Sequence, residues 1–313
     1  MEKDIKLNSK RIKWTKSQDQ KMDWGLKLLN VSDSWKDSKG EGVNIAVLDT
    51  GIAHHDDLSD NVKGGVNFSY SNDLFDHVGH GTHVAGIIAG VDNNRGIVGV
   101  APKANIYGYK VLDDDGFGSF DAIERAIRWA IESNIDIISM SLGYSVHNPE
   151  VYREIKRAYA KNITIVAAAG NDGDNFTDND IDYPAKYPEV IAVGSINKYE
   201  KRSWFSGDGK ELEISAPGQD INSTFLNNEY AVLSGTSMAT PFVSGIIALM
   251  IAKHRKKGDN RTPIANPSQI REHLKRTAID AGMVGRDRFF GYGIINPNKL
   301  LDGVKLSSLY REI

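Results

Sequence analysis

Apolar runs of strand length alternate with helical patterns along this chain, and that alternation limits its fold more than any other feature. The continuous apolar runs, typical of strands buried on both faces, lie at 43–48, 106–112, 135–140, 164–169 and 190–195. The helical patterns lie at 120–132, 150–161 and 237–253. Such an alternation builds a mostly parallel, twisted sheet with helices on both faces. The sequence therefore predicts a three-layer α/β fold.

Composition allows one large core and excludes several classes of function. The chain has 313 residues, of which 40% are hydrophobic, and its net charge is −3. Without a basic excess, nothing indicates a nucleic-acid partner. The chain has no cysteine, which excludes disulfides, a thiol nucleophile and thiolate metal sites. No run approaches the ~20 apolar residues of a membrane span, so we expect no membrane partner. Nothing in the sequence indicates the oligomeric state.

The N-terminal residues bear on location. Residues 1–7 lack the apolar core of a secretory signal. Together with the absence of cysteine, which suits a reducing compartment, this predicts a cytoplasmic protein. Export by a route that needs no signal peptide stays open.

Three polar residues stand where predicted elements begin or end. Asp49 directly follows the apolar run 43–48, and the histidines of 80–86 open an apolar helix. Ser237 stands on the first turn of the helix 237–253, where unpaired backbone N–H groups and the helix dipole favour negative charge. Taken singly, these are a strand-ending turn, a helix-end histidine and a capped core helix. Taken together, Asp, His and Ser follow one of the chain orders in which the hydrolytic triad recurs.

The chain resembles the subtilisin family of serine endopeptidases over roughly residues 20–300, and its layout is most similar to the intracellular members. The motifs that carry the resemblance are Asp-Thr-Gly at 49–51, His-Gly-Thr-His-Val-Ala-Gly at 80–86, Ala-Ala-Gly-Asn at 168–171 and Gly-Thr-Ser-Met-Ala-Thr-Pro at 235–241. The resemblance implies a subtilisin-like fold and an acyl-enzyme mechanism. Asp49 would orient an imidazole, His83 would act as general base and then acid, and Ser237 would be the nucleophile. Asn171 would donate its side-chain amide to the oxyanion, beside the backbone N–H of Ser237.

The resemblance also implies two edges that hold an extended peptide or protein substrate. One edge is formed by Ser141, Leu142 and Gly143, and the other by Gly116 and Gly118. A substrate binds such edges as an added strand, with main-chain hydrogen bonds for affinity and side-chain pockets for choice.

Asp182 gives an expectation about specificity. By resemblance it lines the bottom of the pocket for the residue before the cleaved bond, directly before a Tyr183–Pro184 bond that is expected to be cis. A carboxylate there would pair with a substrate lysine or arginine in a partly dry cleft. The sequence therefore predicts a preference for Lys or Arg at that position. The alternative is that Asp182 faces solvent or pairs with Lys186, which leaves a broad apolar preference.

A calcium ion is the cofactor that the resemblance implies. The implied ligands are Gln20, Asp57, Val91, Asn93, Arg95 and Ile97, of which Val91, Arg95 and Ile97 would contribute backbone carbonyls. Mostly neutral oxygens around one carboxylate suit a large, hard cation such as Ca²⁺. The alternative is a polar turn without a metal.

The resemblance divides the chain into a basic leader at 1–19, a peptidase domain at 20–300 and a tail at 301–313 whose role is unassigned. Between Lys3 and Lys16 the leader has six basic residues and one acid, Asp4. Intracellular relatives place a short leader across the cleft, so we expect this one to be inhibitory and removable. The proline-containing motif of such leaders is missing here, and a surface tail is the alternative.

Two other functions are compatible with parts of the sequence. A metal-dependent hydrolase would draw on the side chains of His54, His55, Asp56, His77, His80 and His83. Against it, no acidic residue lies within a recognised His-x-x-x-His frame. A catalytically inactive scaffold that binds peptides is the other alternative, and turnover of an unfolded protein would distinguish it from an enzyme.

Overall fold

The predicted α/β architecture is confirmed in a computed structural model, which describes residues 5–6, 10–15, 20–173, 180–256 and 266–302. The strands are β1 (Ile5–Lys6), β2 (Lys10–Thr15), β3 (Asn44–Asp49), β4 (Val62–Asn67), β5 (Asn105–Lys110), β6 (Phe117–Gly118), β7 (Ile137–Met140), β8 (Thr164–Ala168), β9 (Val190–Ile196), β10 (Ile214–Pro217), β11 (Ile221–Thr224) and β12 (Tyr230–Ser234). The helices are α1 (Trp24–Leu28), α2 (Val31–Ser34), α3 (His80–Ala89), α4 (Phe120–Glu132), α5 (Pro149–Ala160), α6 (Thr236–Lys256), α7 (Pro267–Thr277) and α8 (Pro297–Asp302). The predicted leader and tail lie partly outside the described residues.

A seven-stranded parallel sheet in the order β10-β9-β8-β7-β3-β5-β4 forms the middle layer. The buried side chains of α3 and α6 belong to one apolar cluster, and those of α4 and α5 belong to another. Alternate residues of the central strand β3 belong to different clusters, Val47 to the first and Leu48 to the second. The continuous apolar runs of the sequence are thus explained by burial on both faces.

Two smaller sheets lie outside this layer. β11, β12 and β2 form a three-stranded antiparallel sheet, and β1 pairs antiparallel with β6. Two short segments of the predicted leader are therefore strands that pair with the body of the protein.

The predicted strand 106–112 is shorter in the structure, where β5 ends at Lys110. The amides of Val111 and Leu112 both donate to the carbonyl of Asp49, at 2.9 Å and 3.2 Å. These two residues therefore do not continue the regular hydrogen bonding of the sheet. The apolar run therefore continues beyond the strand, because these residues remain buried beside the end of β3.

Helix α6 passes through the core and carries Pro241 in its second turn. By length and composition alone it could cross a membrane, but nearly all of it is buried inside the protein, and no other helix of the described ranges meets that criterion. Since Pro241 has no N–H to donate, the Ser237 carbonyl instead accepts a hydrogen bond from the Ser141 hydroxyl at 2.8 Å. The start of α6 is thereby tied to the loop that follows β7.

Candidate active site

The residues singled out in the sequence meet at the carboxyl ends of three neighbouring strands. Asp49 ends β3, Ser141 follows β7, and Asn171 follows β8 closely. Helices α3 and α6 begin at the same edge, with His80 and Ser237 in their first turns. In open parallel sheets this edge is where ligands bind.

Asp49 and His80 form a buried pair. The His80 Nδ1 atom lies 2.8 Å from Asp49 Oδ1, and the side chains are 2% and 0% exposed. The same Oδ1 accepts the backbone N–H of Thr50 at 2.8 Å, which fixes the carboxylate. A Cβ on Gly81 would lie 2.1 Å from the Gly51 carbonyl oxygen, so only glycine lets α3 approach β3 this closely. The carboxylate therefore sets the orientation of the ring.

Two effects act on the pKa of His80. Burial lowers it, but the charge and hydrogen bond of Asp49 and the charge of Asp76 raise it, and the net pKa lies above the usual value. His80 Nε2 is buried and has no hydrogen-bond partner among the described residues. With Nδ1 held by the carboxylate, Nε2 is the ring atom left to exchange a proton.

The assignment of His83 as general base is wrong. His83 is fully buried, and its Nε2 lies 3.1 Å and 3.0 Å from the backbone carbonyls of Ile221 and Ala231, to which it donates. Burial, with a smaller effect from His80, lowers the pKa of His83 to about 3. His83 lies three residues after His80 on the same helix, so its side chain faces β11 and β12 and not Asp49. His80, in the same motif, takes the position that the sequence analysis gave to His83.

Ser237 is almost fully buried at the start of α6. Its Oγ donates to the Ser141 carbonyl at 3.1 Å, so the hydroxyl is not directed at His80 Nε2 in this structure. Nucleophile and base are often not yet aligned before substrate binds. A change of the Ser237 side-chain rotamer would release its hydroxyl from the Ser141 carbonyl.

Asn171 lies beside Ser237, with two donors facing one space. Its Oδ1 accepts the Thr236 backbone N–H at 2.9 Å, which orients the amide. A Cβ placed on Gly235 would be 3.5 Å from Asn171 Nδ2 and 3.6 Å from the Ser237 backbone nitrogen. Glycine at 235 thus keeps open a space that these two donors border, which suits a developing negative charge.

Of the two predicted substrate edges, one already carries a strand. Residues Ile5 and Lys6 of β1 lie opposite Gly118 and Phe117 of β6. Gly116, at φ +80°, forms the turn before that edge. On the other side, Ser141 and Leu142 are buried and follow β7, and the next residue but one, Tyr144, forms a bridge with Tyr183.

Asp182 lies between two glycines. A Cβ on Gly143 or on Gly170 would lie 2.7 Å or 2.8 Å from Asp182 Oδ2, so the carboxylate faces the space between the 141–143 edge and the loop that carries Asn171. No described residue forms a hydrogen bond or ion pair with this carboxylate. Burial, with the charges of Asp172 and Asp180, raises the pKa of Asp182 to about 6 against the lowering effect of Lys186. The Tyr183–Pro184 bond is cis, as expected.

The six residues of the predicted calcium site come together. Gln20 Nε2 donates to the carbonyls of Val91 at 2.8 Å, Arg95 at 3.3 Å and Ile97 at 3.4 Å. Asn93 Nδ2 donates to Asp57 Oδ1 at 3.2 Å. If the Gln20 amide turns over, its oxygen joins three carbonyl oxygens that point at one place, an arrangement that a cation would stabilise. The donor set therefore fits Ca²⁺.

Two residues near these sites were missed in the sequence. Asp76 accepts the backbone N–H groups of Val78, Gly79 and Thr82 at 2.8–2.9 Å and so caps the helix that carries His80. An aspartate shortly before a helix start is a signal that could have found it. Tyr230 donates its hydroxyl to Asp57 Oδ2 at 2.8 Å. No local pattern links these two residues, which are far apart in sequence.

The histidines proposed for a metal-dependent hydrolase are dispersed. His55 hydrogen-bonds the Glu229 carbonyl, and His77 pairs with Asp73. With His80 on Asp49 and His83 on backbone carbonyls, each of these rings has its own partner. Within the ranges that the structure covers, no three His, Asp or Glu side chains could hold a metal ion together.

Comparison with known proteins agrees with this geometry. The model of the subtilase family matches residues 40–293. Subtilisin DY of Bacillus licheniformis is 43% identical over 263 residues, which cover 82% of this chain and 90% of that protein. Subtilisin E of Bacillus subtilis (strain 168) is 42% identical over 82% of this chain and 65% of its own length. The minor extracellular protease Epr of the same organism is 40% identical over 90% of this chain, but the chain spans only 42% of Epr.

Proposed function

This chain belongs to the subtilase family of serine proteases, and on that premise we propose that it cleaves peptide bonds within proteins through an acyl-enzyme on Ser237. The observation that carries the proposal is the His80 ring, held by Asp49 at Nδ1 and without a partner at Nε2. An imidazole fixed in this way can accept a proton at one nitrogen only.

In the proposed reaction, the Ser237 hydroxyl turns from the Ser141 carbonyl to His80 Nε2. Nε2 takes the proton as Oγ forms a bond to the substrate carbonyl carbon. The negative charge on the carbonyl oxygen is stabilised by Asn171 Nδ2 and the Ser237 backbone N–H. His80 then gives the proton to the leaving amine as the C–N bond breaks. A water molecule attacks the ester by the same route, which releases the acid and restores Ser237.

For the residue before the cleaved bond we propose lysine or arginine. The support is the position of Asp182, whose carboxylate faces Gly143 and Gly170 and has no partner among the described residues. A substrate cation would offset the cost of burying this charge. The alternative partner, Lys186, acts on this carboxylate through its charge but forms no hydrogen bond or ion pair with it, and its ammonium lies over the Tyr183 ring at 5.9 Å.

We also propose a structural calcium ion held by Gln20, Asp57, Asn93 and the carbonyls of Val91, Arg95 and Ile97. When bound it would fix the 91–97 loop and residue 20 to the body of the protein. Gly96 lies within this loop at φ +58°, where a Cβ would lie 1.9 Å from Asp57 Oδ2. The ion has no part in the proposed chemistry.

The leader is proposed to inhibit the enzyme until it is removed. The support is its pairing with the body of the protein, with β1 on β6, one of the expected substrate edges, and β2 on β12, which ends three residues before Ser237. A chain on the β6 edge takes the place of a substrate strand. Deletion of residues 1–16 is expected to raise the rate of peptide cleavage several-fold. An unchanged rate would contradict inhibition, and the shortened chain must first be shown by circular dichroism to fold.

Location in the cytoplasm is likewise proposed, because the chain has no cysteine, which suits a reducing compartment. Fractionation of cells that express the untagged protein tests it. Recovery of the protein in the medium without lysis would overturn it.

Labelling of the purified chain with a fluorophosphonate tests the proposed function. We expect one adduct, on Ser237, that forms equally in the presence of a chelator and is absent in Ser237→Ala. A peptide library should be cleaved by the unmodified protein and not by that variant. Peptide binding without an adduct or turnover would favour the inactive scaffold, and loss of turnover on chelation with no adduct would favour a metal-dependent enzyme.

A further inference from the structure

A cavity of about 390 Å³ lies at the β4 edge of the main sheet. One wall is the segment 52–59, which follows β3 closely, and another carries Leu74 and Phe75. Residues of β4, with Gly108 of β5, complete the lining. None of the described residues that line it is proposed above for catalysis, substrate binding or calcium. Its volume is in the range of small-molecule sites, so it is large enough to hold a ligand.

The interior of the cavity is apolar. Ile52 and Leu58 line it and are almost fully buried. Leu74 and Phe75 also line it and are 37% and 39% exposed. The Phe75 ring lies beside the His54 ring, with centroids 4.9 Å apart at an angle of 40°, and gives the cavity an aromatic wall. A ligand that covers these exposed side chains removes them from water, which favours binding of an apolar group.

The charged side chain of the lining at neutral pH is a lysine. Lys63 donates one Nζ hydrogen to the Asp60 carbonyl at 2.6 Å and forms no ion pair with the described acids. An ammonium group has three donors, so two remain for a ligand. His55 adds no charge, because its ring nitrogens are hydrogen-bonded to backbone groups of Glu229 and Asp57 and burial lowers its pKa.

The acids of the neighbouring turn have other partners, and no acid is among the described residues of the lining. Asp56 accepts the Asn228 side-chain amide at 2.9 Å. Asp57 accepts the backbone N–H of Ile97 and the Tyr230 hydroxyl, each at 2.8 Å. The exposed lysine of the cavity is therefore complementary to an anionic ligand group.

We propose that this cavity binds a small carboxylic acid with an aromatic body, of the arylalkanoic class. The ring lies among Ile52, Leu58 and Phe75, where it displaces water from apolar surface, and the carboxylate pairs with Lys63. Because Lys63 is in contact with solvent, the carboxylate does not have to be fully buried. The site takes no part in the proposed cleavage of peptides and does not depend on it.

The walls of the site adjoin the segments that hold Asp49 and His80. A Cβ on Gly51 would lie 2.5 Å from the Leu74 carbonyl oxygen, so this loop packs closely on the turn after Asp49. Phe75 directly precedes Asp76, which caps α3. A bound acid should therefore slow hydrogen exchange of the backbone amides at 51–59 and 74–78 and leave those of α7 unchanged. Equal exchange with and without the acid would overturn the proposal.

Calorimetric titration of phenylpropionate into the full chain tests the site. For a ligand of this size we expect a Kd of about 1 mM or lower. Phenylpropanol has the same ring without the charge and should bind about tenfold more weakly, because it lacks the charge-assisted hydrogen bond. Absence of phenylpropionate binding to the unmodified chain overturns the proposal.

Two substitutions locate the ligand. Lys63→Met should weaken phenylpropionate binding about tenfold and leave phenylpropanol binding unchanged. Lys103→Met is the matched control, since Lys103 is an exposed lysine that lies 3.9 Å from Glu41 and does not line the cavity. Ala53→Trp places an indole in the cavity from a partly exposed position and should abolish binding of both ligands. Unchanged phenylpropionate affinity in Lys63→Met, or in a folded Ala53→Trp variant, overturns the proposal whatever the enzyme does to peptides.

Discussion

His80 Nδ1 lies 2.8 Å from Asp49 Oδ1, and the pair is closed off from solvent by the approach of α3 to the end of β3. His83, one turn further along the same helix, is buried against two backbone carbonyls. Two histidines of one motif therefore have separate tasks, one bound to a carboxylate and the other to the backbone of the β11–β12 hairpin.

The first prediction compares these histidines. His80→Ala should reduce kcat by about 10⁶-fold, the size of loss found in subtilisin when its base is removed. His83→Leu should keep most of the activity but lower the free energy of unfolding by about 1–3 kcal/mol, because two buried carbonyls lose their donor. Steady-state kinetics and urea unfolding measure the two effects. Loss of activity in a folded His83→Leu variant, with activity retained in His80→Ala, would reverse the assignment.

The second prediction concerns the acid side of the pH profile. Because the pKa of His80 is raised, the ring stays protonated to a higher pH. We therefore expect kcat/KM to rise only above the pH at which an ordinary imidazole loses its proton. Asp76→Asn removes a charge that favours the cation, so the midpoint should move to lower pH. Asp73→Asn is the matched control, since Asp73 pairs with exposed His77. Equal midpoints in all three proteins would count against the role of Asp76.

The third prediction tests Asn171. Asn171→Ala should lower kcat by about 10²–10³-fold, the loss measured for the equivalent donor in subtilisin, with KM nearly unchanged. The bond strengthens only as charge develops on the substrate oxygen, so binding of the ground state is not affected. Unchanged kcat in a correctly folded variant would remove Asn171 from the proposed mechanism.

The fourth prediction links specificity to pH through Asp182. Its pKa of about 6 means that the carboxyl is neutral below that pH and charged above it. The ratio of kcat/KM for Lys over Leu before the cleaved bond should therefore rise as pH increases through about 6, while titration of His80 affects both substrates and cancels. Asp182→Ser should make the ratio independent of pH and reduce it about 10–100-fold, which is the effect expected from the loss of a charge-assisted hydrogen bond. A flat ratio in the unmodified enzyme would rule out this role.

The fifth prediction concerns calcium. Calcium at a hundred times its Kd should stabilise the protein by about 2.7 kcal/mol, seen as a rise in Tm that a chelator reverses. Asp57→Asn should abolish the response. Asp92→Asn is the matched control, because Asp92 belongs to the same loop but pairs with Lys39 at the surface. A calcium response that survives in Asp57→Asn would place the ion elsewhere.

The sheet could be predicted because its strands are buried on both faces and leave continuous apolar runs. Strand ends were less predictable, since Val111 stays apolar and buried after it leaves the ladder. The sequence could not distinguish His80 from His83, because both lie in one motif on one helix and only packing against β3 or β12 separates them. The contact of Tyr230 with Asp57 joins distant segments and has no local signature.

That contact would couple the proposed binding of calcium to the pairing of the leader with β12. Tyr230 pairs with Thr15 through its backbone and with Asp57 through its hydroxyl. The first residue of β12 therefore also borders the proposed calcium site. Thermodynamic linkage then requires reciprocity: by whatever factor calcium changes the affinity of a strand for β12, a bound strand changes the affinity for calcium by the same factor. Where that factor differs from one, the calcium concentration around the enzyme would affect how firmly its own leader is held.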